Sequence, residues 1–280
     1  MSDPNSPVFR FQVWRAALPT ALRWLLTVNV ATYLVYVALS IVGQGDLLRW
    51  LALPLTPAET LVRPWTVLTY GIANVYPTFW GLITFAFGVL WLNWLGRDVE
   101  ETYGSHQLLG VYVFATLTGA ALALAAGAFA PGPGGLGVWA GVWGPMIGVL
   151  CMLATMQPNR GIGLFLLGVV PLKWIAIVFV VLEMAFSKDP THLGAAVGGF
   201  VFAKAQQRGV QIGSPLAPLF GVRRRRPEPS APARSRTVDT RRQAPKADLD
   251  VDRILDKILE DGYDSLTPDE RRALDDASRD

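Results

Sequence analysis

Gly137-Val138-Trp139-Ala140-Gly141-Val142-Trp143-Gly144-Pro145-Met146-Ile147-Gly148 is an apolar stretch with glycines set four apart, at 137/141 and 144/148. A second stretch, Thr191-His192-Leu193-Gly194-Ala195-Ala196-Val197-Gly198-Gly199, repeats that spacing at 194/198. Lipid tails are as apolar as leucine, so helices within a bilayer associate through small residues that let two backbones approach. Both stretches are therefore expected to be membrane helices packed on each other. Gly141, Gly144 and Gly148 form the small-residue face of one, Gly194 and Gly198 that of the other.

Working outward, hydrophobic residues make up 51% of the 280 and charged residues 17%, below the roughly 25% charged of a soluble domain. The deficit is local. No Asp, Glu, Lys or Arg occurs from Thr102 through Asn159, whereas the last seventy or so residues are crowded with them. The first apolar run is long and lacks a small-residue cleavage site, so no secretory signal is expected. One cysteine, Cys151, gives no disulfide framework.

An apolar run from Leu22 to Val42 supplies the roughly 20 residues a spanning helix needs. Further runs follow at about 78 to 96, 107 to 129, 136 to 156, 162 to 186 and 190 to 206, each bounded by Gly, Pro or charge. The pattern predicts an all-α membrane protein of six transmembrane helices, residues 1–208. The connection from Gln44 to Tyr76 is too apolar for a solvated loop and too broken for a span, and reads as an interfacial segment. An even number of spans puts both termini on one side. Arg10, Arg15, Arg23, Arg97, Arg160 and the run Arg223-Arg224-Arg225-Arg226 fall on that side, against Arg49, Arg63 and Lys188 on the other. The positive-inside bias makes both termini cytoplasmic.

Residues 209–247 turn to Pro, Arg, Ser and Ala without apolar periodicity and read as a disordered linker. Its arginine run is an orientation signal; a contact of Arg223, Arg224, Arg225 and Arg226 with anionic lipid head groups is the sharper alternative. In 248–280, Val251, Ile254, Leu255, Ile258 and Leu259 repeat at helical spacing, and Gly262 stands where a helix stops. Thr267-Pro268-Asp269-Glu270 then offers an N-cap, a first-turn proline and a capping-box glutamate. This predicts a small cytoplasmic helix-turn-helix hairpin, below the roughly 40 residues that fold alone.

Several motifs line up with those spans. Arg63-Pro64-Trp65-Thr66-Val67-Leu68-Thr69-Tyr70 precedes the second run, which ends in Trp91 to Gly96. Glu100-x-x-x-Gly104 follows, then Gly141-x-Trp143-Gly144-x-x-x-Gly148 on the fourth helix and His192-x-x-x-x-x-Gly198 on the sixth. In order and spacing, over roughly residues 20–207, this set resembles the rhomboid intramembrane serine proteases. The resemblance implies a bacterial cytoplasmic-membrane protein whose family draws its nucleophile from Gly-x-Ser-Gly and its base from the sixth-helix histidine. The hairpin, with Leu255-Asp256-Lys257-Ile258 and Gly262-Tyr263-Asp264-Ser265-Leu266-Thr267, resembles a tail module of some bacterial rhomboid relatives.

Departures fall on the chemistry. Trp143 stands at the serine position, and an indole N–H is a donor with no nucleophilic lone pair. The family's second helix carries His-x-x-x-x-His-x-x-x-Asn, whose last two polar residues help hold the oxyanion. Aligned back from Trp94-Leu95-Gly96, those two positions hold Thr84 and Gly88, and no histidine precedes His106. Trp143 either fills the former active-site hollow or is an aromatic packing residue. His192 is either a remnant base or a structural histidine bonded to a backbone carbonyl or to the indole. Cys151 lies eight residues beyond Trp143, about 12 Å along a helix, too far to replace a nucleophile, and the serines lie at helix ends or in the leader and tail. Two histidines and one cysteine far apart give no metal-ligand spacing.

Three functions remain open: a pseudoprotease that binds transmembrane segments of client proteins, an active serine endopeptidase with a displaced site, and a membrane anchor for the hairpin. The expected partners are membrane lipids and transmembrane clients. No cofactor, metal or nucleic acid is expected.

Overall fold

A computed structural model of the chain describes residue 6 and residues 18–75, 78–129, 138–164, 168–220 and 248–277. The chain divides into two units, Met1–Arg224 and Arg225–Asp280. Among the described residues, the long helices of the first are α1 (Thr20–Ile41), α2 (Phe79–Tyr103), α3 (Ser105–Phe129), α4 (Trp143–Met156), α5 (Leu172–Ser187) and α6 (Pro190–Gln207). By length and composition α1, α2 and the Ser105–Gly127 stretch of α3 are each able to cross a membrane.

The axis of the bundle is α4. Its 14 residues span about 21 Å, less than the roughly 30 Å of a hydrocarbon core. Gly144 through Leu150 and Met152 through Ala154 are all buried, sheathed by α2, α3, α5 and α6. Non-helical chain flanks it at both ends. Apolar periodicity expects helix from about 136, yet Val138–Trp139 pairs antiparallel with Leu53–Pro54, and helix begins only at Trp143. Gly141 lies in the lead-in at φ +116°, a conformation open to glycine. Gly141 is therefore off the helix face that the sequence assigns it to, and Gly137 lies outside the described residues. The fifth run is corrected likewise. Gly161–Leu164 and Gly168–Pro171 form a two-stranded hairpin, since glycines and the β-branched pair Val169-Val170 disfavour helix there, and α5 starts only after Pro171.

The α1 N-terminus is closed by a residue far away in sequence. The buried Glu100 carboxylate accepts from the Ala21 and Leu22 amides at 2.8 and 2.7 Å and from the Ser105 hydroxyl. These are free first-turn amides, and an anion there is favoured by the helix dipole. Gly104, at φ +94°, makes the turn between α2 and α3. The segment after α1 carries short helices at Pro57–Val62 and Thr66–Thr69 and exposes Trp50, Leu61, Val62 and Trp65. The Arg63 guanidinium lies 4.2 Å above the Trp50 ring. Tyr76 lies outside the described residues. At the other end, residues 214–220 form a tight helical turn with Ala217 buried, and Gly213 sits against Gly110 of α3. The expected linker thus gives its first dozen residues to the bundle; Arg223, Arg224, Arg225 and Arg226 lie outside the described residues.

The expected pairing of α4 and α6 by glycine faces needs one correction. A Cβ on Gly194 would sit 2.5 Å from the Thr118 carbonyl, and one on Gly198 would overlap the Thr118 side chain. Both therefore face α3. The α4–α6 contact is made by Gly199, where a Cβ would overlap the Gly148 carbonyl, and by Gly144 beside Thr191 and His192. The sixth helix thus has small residues toward two neighbours.

The second unit pairs α7 (Asp248–Asp261) with α8 (Pro268–Ala277). Gly262, at φ +82°, ends α7. The Thr267 amide donates to Glu270 Oε2 at 2.8 Å, the Glu270 amide to Thr267 Oγ1 at 3.4 Å, and Lys257 Nζ to Glu270 at 3.0 Å. Ile254 and Leu266 are buried between the helices, while Leu259 is exposed.

Two outcomes follow. Gly198→Leu drives α3 and α6 apart, and overpacking of this kind costs about 1–3 kcal/mol or more. Its melting temperature in detergent falls by several degrees, while Val197→Leu at the exposed neighbour leaves it unchanged. An unchanged Gly198→Leu protein would refute the assigned contact.

In the hairpin, the bond from the Thr267 amide, then those from Lys257 and the Thr267 hydroxyl, hold the Glu270 carboxyl down at about 2. A depressed carboxyl stabilises the fold above its ordinary value of about 4.3, and that contribution is lost as pH falls through about 2. A carbon-13 titration of Glu270 reads this midpoint directly. The α7–α8 helical signal declines across the same window, and Glu270→Gln removes the Glu270 share of the decline.

Candidate functional site

The N-terminus of α4 has no side-chain cap of its own. Long-range partners supply the bonds. The Val142 amide donates to Asn74 Oδ1 at 3.1 Å, and the Gly141 amide donates to the Tyr70 carbonyl at 2.9 Å. Asn74 Nδ2 donates in turn to Asn29 Oδ1 at 2.9 Å, and Asn29 Nδ2 to the Leu25 carbonyl and Tyr112 Oη at 2.9 and 3.2 Å. The Tyr112 hydroxyl closes on the Gly71 carbonyl at 2.7 Å and that of Tyr70 on the Thr116 carbonyl at 2.8 Å. Burial, and after it the Asp189 charge, push the Tyr70 phenol well above its ordinary range, so it remains a donor. This network ties α1, α3 and the 70–74 turn to the lead-in of α4. The sequence signals it only through Asn29, a polar residue inside an apolar run.

At the head of α4, Trp143 is half-buried. Its Nε1 donates to the Thr84 carbonyl of α2 at 3.2 Å. Gly88 leaves room for the indole: a Cβ there would stand 3.3 Å from Nε1 and 2.7 Å from Val142 Cγ1. The opposite face stacks on Phe179 of α5, with centroids 5.8 Å apart and planes at 15°, and Phe179 meets Trp91 of α2 at 5.3 Å. Thr84 and Gly88, the positions that the resemblance aligns with the oxyanion residues, and Trp143, at the serine position, thus come together, with the indole spanning the gap between α2 and α5. Thr84 takes part through its backbone, and its side chain is exposed.

His192 is buried at the start of α6, its Cδ2 3.7 Å from where a Gly144 Cβ would be. It makes no bond to the indole, one of the two alternatives the sequence allows. Nδ1 lies 3.2 Å from Glu183 Oε2 and 3.2 Å from Ser187 Oγ, and Nε2 lies 3.6 Å from Asp189 Oδ2. Asp189 caps α6, its Oδ1 accepting from the Thr191 amide at 2.8 Å. Sequence reasoning missed all three neighbours. Glu183, an ionisable residue within an apolar run, was the available signal. Setting the serines aside as helix-end residues needs correction too, because Ser187 is at the α5 end yet beside His192. Its hydroxyl donates to the Glu183 backbone carbonyl at 2.6 Å, which directs the proton away from the imidazole. Cys151 lies two turns along α4 from Trp143 and lines a groove that Trp143 does not.

The Rhomboid domain family matches residues 64–207, and a family of unknown function, DUF6576, matches residues 237–280. The rhomboid protease GluP of Bacillus subtilis (strain 168) is 30% identical over 164 residues, covering 57% of this chain and 28% of that protein. The rhomboid protease GlpG of Salmonella choleraesuis (strain SC-B67) is 31% identical over 90 residues, 32% of this chain and 30% of that protein. The aligned stretches thus span under a third of these relatives' length. The Rhomboid match takes in α2 through α6 and just over half of the sequence, and the chain, an integral membrane protein, belongs to the rhomboid family.

Proposed function

We propose that this chain is a catalytically inactive rhomboid of a bacterial cytoplasmic membrane, both termini cytoplasmic, that binds transmembrane segments of client proteins without cleaving them. The observation that carries the reading is Trp143. It occupies the nucleophile position, cannot attack a carbonyl, and its indole fills the space over Gly88 that an oxyanion would need. Two side-chain donors are missing as well, and removal of one oxyanion donor typically costs 10² to 10³ in rate. His192, held among Glu183, Ser187 and Asp189, acts here as a clamp between α5 and the start of α6. Client binding itself rests on what the resemblance implies for inactive members.

One observation favours a second reading, that of a displaced serine site: the Ser187 hydroxyl within 3.2 Å of His192. The direction of its proton, toward the Glu183 carbonyl, weighs against it.

Gel-based cleavage of a model transmembrane substrate in detergent separates the readings. The parent is inert, and Trp143→Ser gives at most trace activity, because the serine regains a nucleophile without an oxyanion pocket and leaves a cavity costing roughly 3 kcal/mol. Adding Thr84→His and Gly88→Asn helps more than the serine alone, though Val142 must shift to admit the new Cβ. Cleavage by the parent, lost in His192→Ala, overturns the proposal. Labelling of Ser187 by a fluorophosphonate, abolished in Ser187→Ala, establishes the displaced site.

A further inference from the structure

Between α5 and α6 lies a groove of about 450 Å³, and Trp143 is not among the residues that line it. Ile177, Val180 and Val181 of α5 and Val197 and Phe200 of α6 line it, together with Cys151 of α4. Lys173 stands at one end, where α5 begins. Because α5 and α6 run antiparallel, the last turn of α6 reaches that same end and brings Lys204. We propose that this groove holds one acyl chain of an anionic phospholipid, with its phosphate between Lys173 and Lys204.

Two observations choose the occupant. The first is charge. Lys173 Nζ has the neutral Asn159 amide as its partner at 3.0 Å, and Lys204 Nζ that of Gln207 at 3.1 Å. Lys204 also stands 5.7 Å from the centre of the Phe200 ring, itself a groove wall. Gln207 bonds the carbonyl of Thr155, another groove residue, at 3.2 Å. Among the described residues neither lysine meets a carboxylate, whereas nearby Arg160 is already paired with Asp98. Two ammonium groups with neutral partners, at the end of an apolar groove between membrane helices, complement a phosphodiester.

The second is length. From Lys173 to Val181 is eight residues, about 12 Å of helix. One leaflet of hydrocarbon is about 15 Å deep, half the roughly 30 Å core. The groove therefore matches a chain descending from the head-group level toward mid-membrane. A client helix crosses the whole core and would find no groove along half its course.

Native mass spectrometry of the full chain tests this. The protein carries Arg223→Gln, Arg224→Gln, Arg225→Gln and Arg226→Gln to remove the separate attraction of that run, and is equilibrated with equal dimyristoyl phosphatidylglycerol and dimyristoyl phosphatidylcholine. Phosphatidylglycerol adducts dominate, and Lys173→Gln with Lys204→Gln lowers that preference roughly tenfold. Val181→Trp, at an exposed wall, lowers retention of both lipids. Equal retention of the two lipids by the parent, or an unchanged preference in the double variant, overturns the proposal. Should the double variant misfold, a diazirine on the acyl chain of phosphatidylglycerol gives an independent reading with unaltered lysines. Labels on Ile177, Val181, Val197 or Phe200 support the groove, and labels confined to α1 and α2 refute it.

Discussion

A helix of 14 residues cannot cross a bilayer, and the arrangement of the first unit follows from how α4 is sheathed. Lipid cannot satisfy the backbone groups left where a helix stops inside the membrane, so only protein or a water-filled cavity can cover them. Here α3 and α6 come close enough to do so because they meet α4 and each other at residues without bulk. Gly148 lies against Ala115 and Gly199, and Gly194 and Gly198 lie against Thr118 and Gly119. Larger side chains at these points would move three helices at once. The glycine spacing read from the sequence thus reports a three-helix contact rather than a pair.

The short end of α4 also needs polar partners, and Asn74, Asn29, Tyr112 and Tyr70 provide them. None of these bonds involves the side chain at position 143. The frame around the head of α4 is therefore set without reference to what stands there, be it a serine or a tryptophan. Glu100 plays a comparable part for α1, and the motif that carries it, Glu100-x-x-x-Gly104, acquires a physical reason: a carboxylate for two free amides and a glycine for the turn that follows.

Much of this was legible because hydropathy is a property of long windows, and α1, α2 and α3 are long. Reading failed where local backbone chemistry overrode the apolar run. Val138–Trp139 and the strands Gly161–Leu164 and Gly168–Pro171 are as apolar as the helices they adjoin, and only their glycines and β-branched residues set them apart. The tail was readable for the opposite reason. Gly262, Thr267 and Glu270 act within a few residues of one another, so their bonds could be anticipated. At the candidate site the identities at 84, 88, 143 and 192 were legible, but not their partners. Glu183, Ser187 and Phe179 reach the site only because α5 folds back over α4, a contact between distant segments that no spacing encodes.

That α5 supplies partners to both site residues bears on what the site can do. Phe179 stacks on Trp143, while Glu183 and Ser187, a turn or two further along the same helix, bond His192. Residues 179, 183 and 187 are four apart and share one face of α5, so a single stripe engages the head of α4 and the start of α6. In a hydrolase the groups at positions 143 and 192 must meet each other with substrate between them. Here the Trp143 ring stacks on α5 and its Nε1 bonds α2, while His192 meets two side chains of α5. The stripe thus fastens α5, whose buried residues are Leu172 and Ala176, to the head of α4 and the start of α6. Separating α5 from α4 would break the aromatic stack, whereas the contacts of Glu183 and Ser187 with His192 would be lost only if α5 also parted from the start of α6.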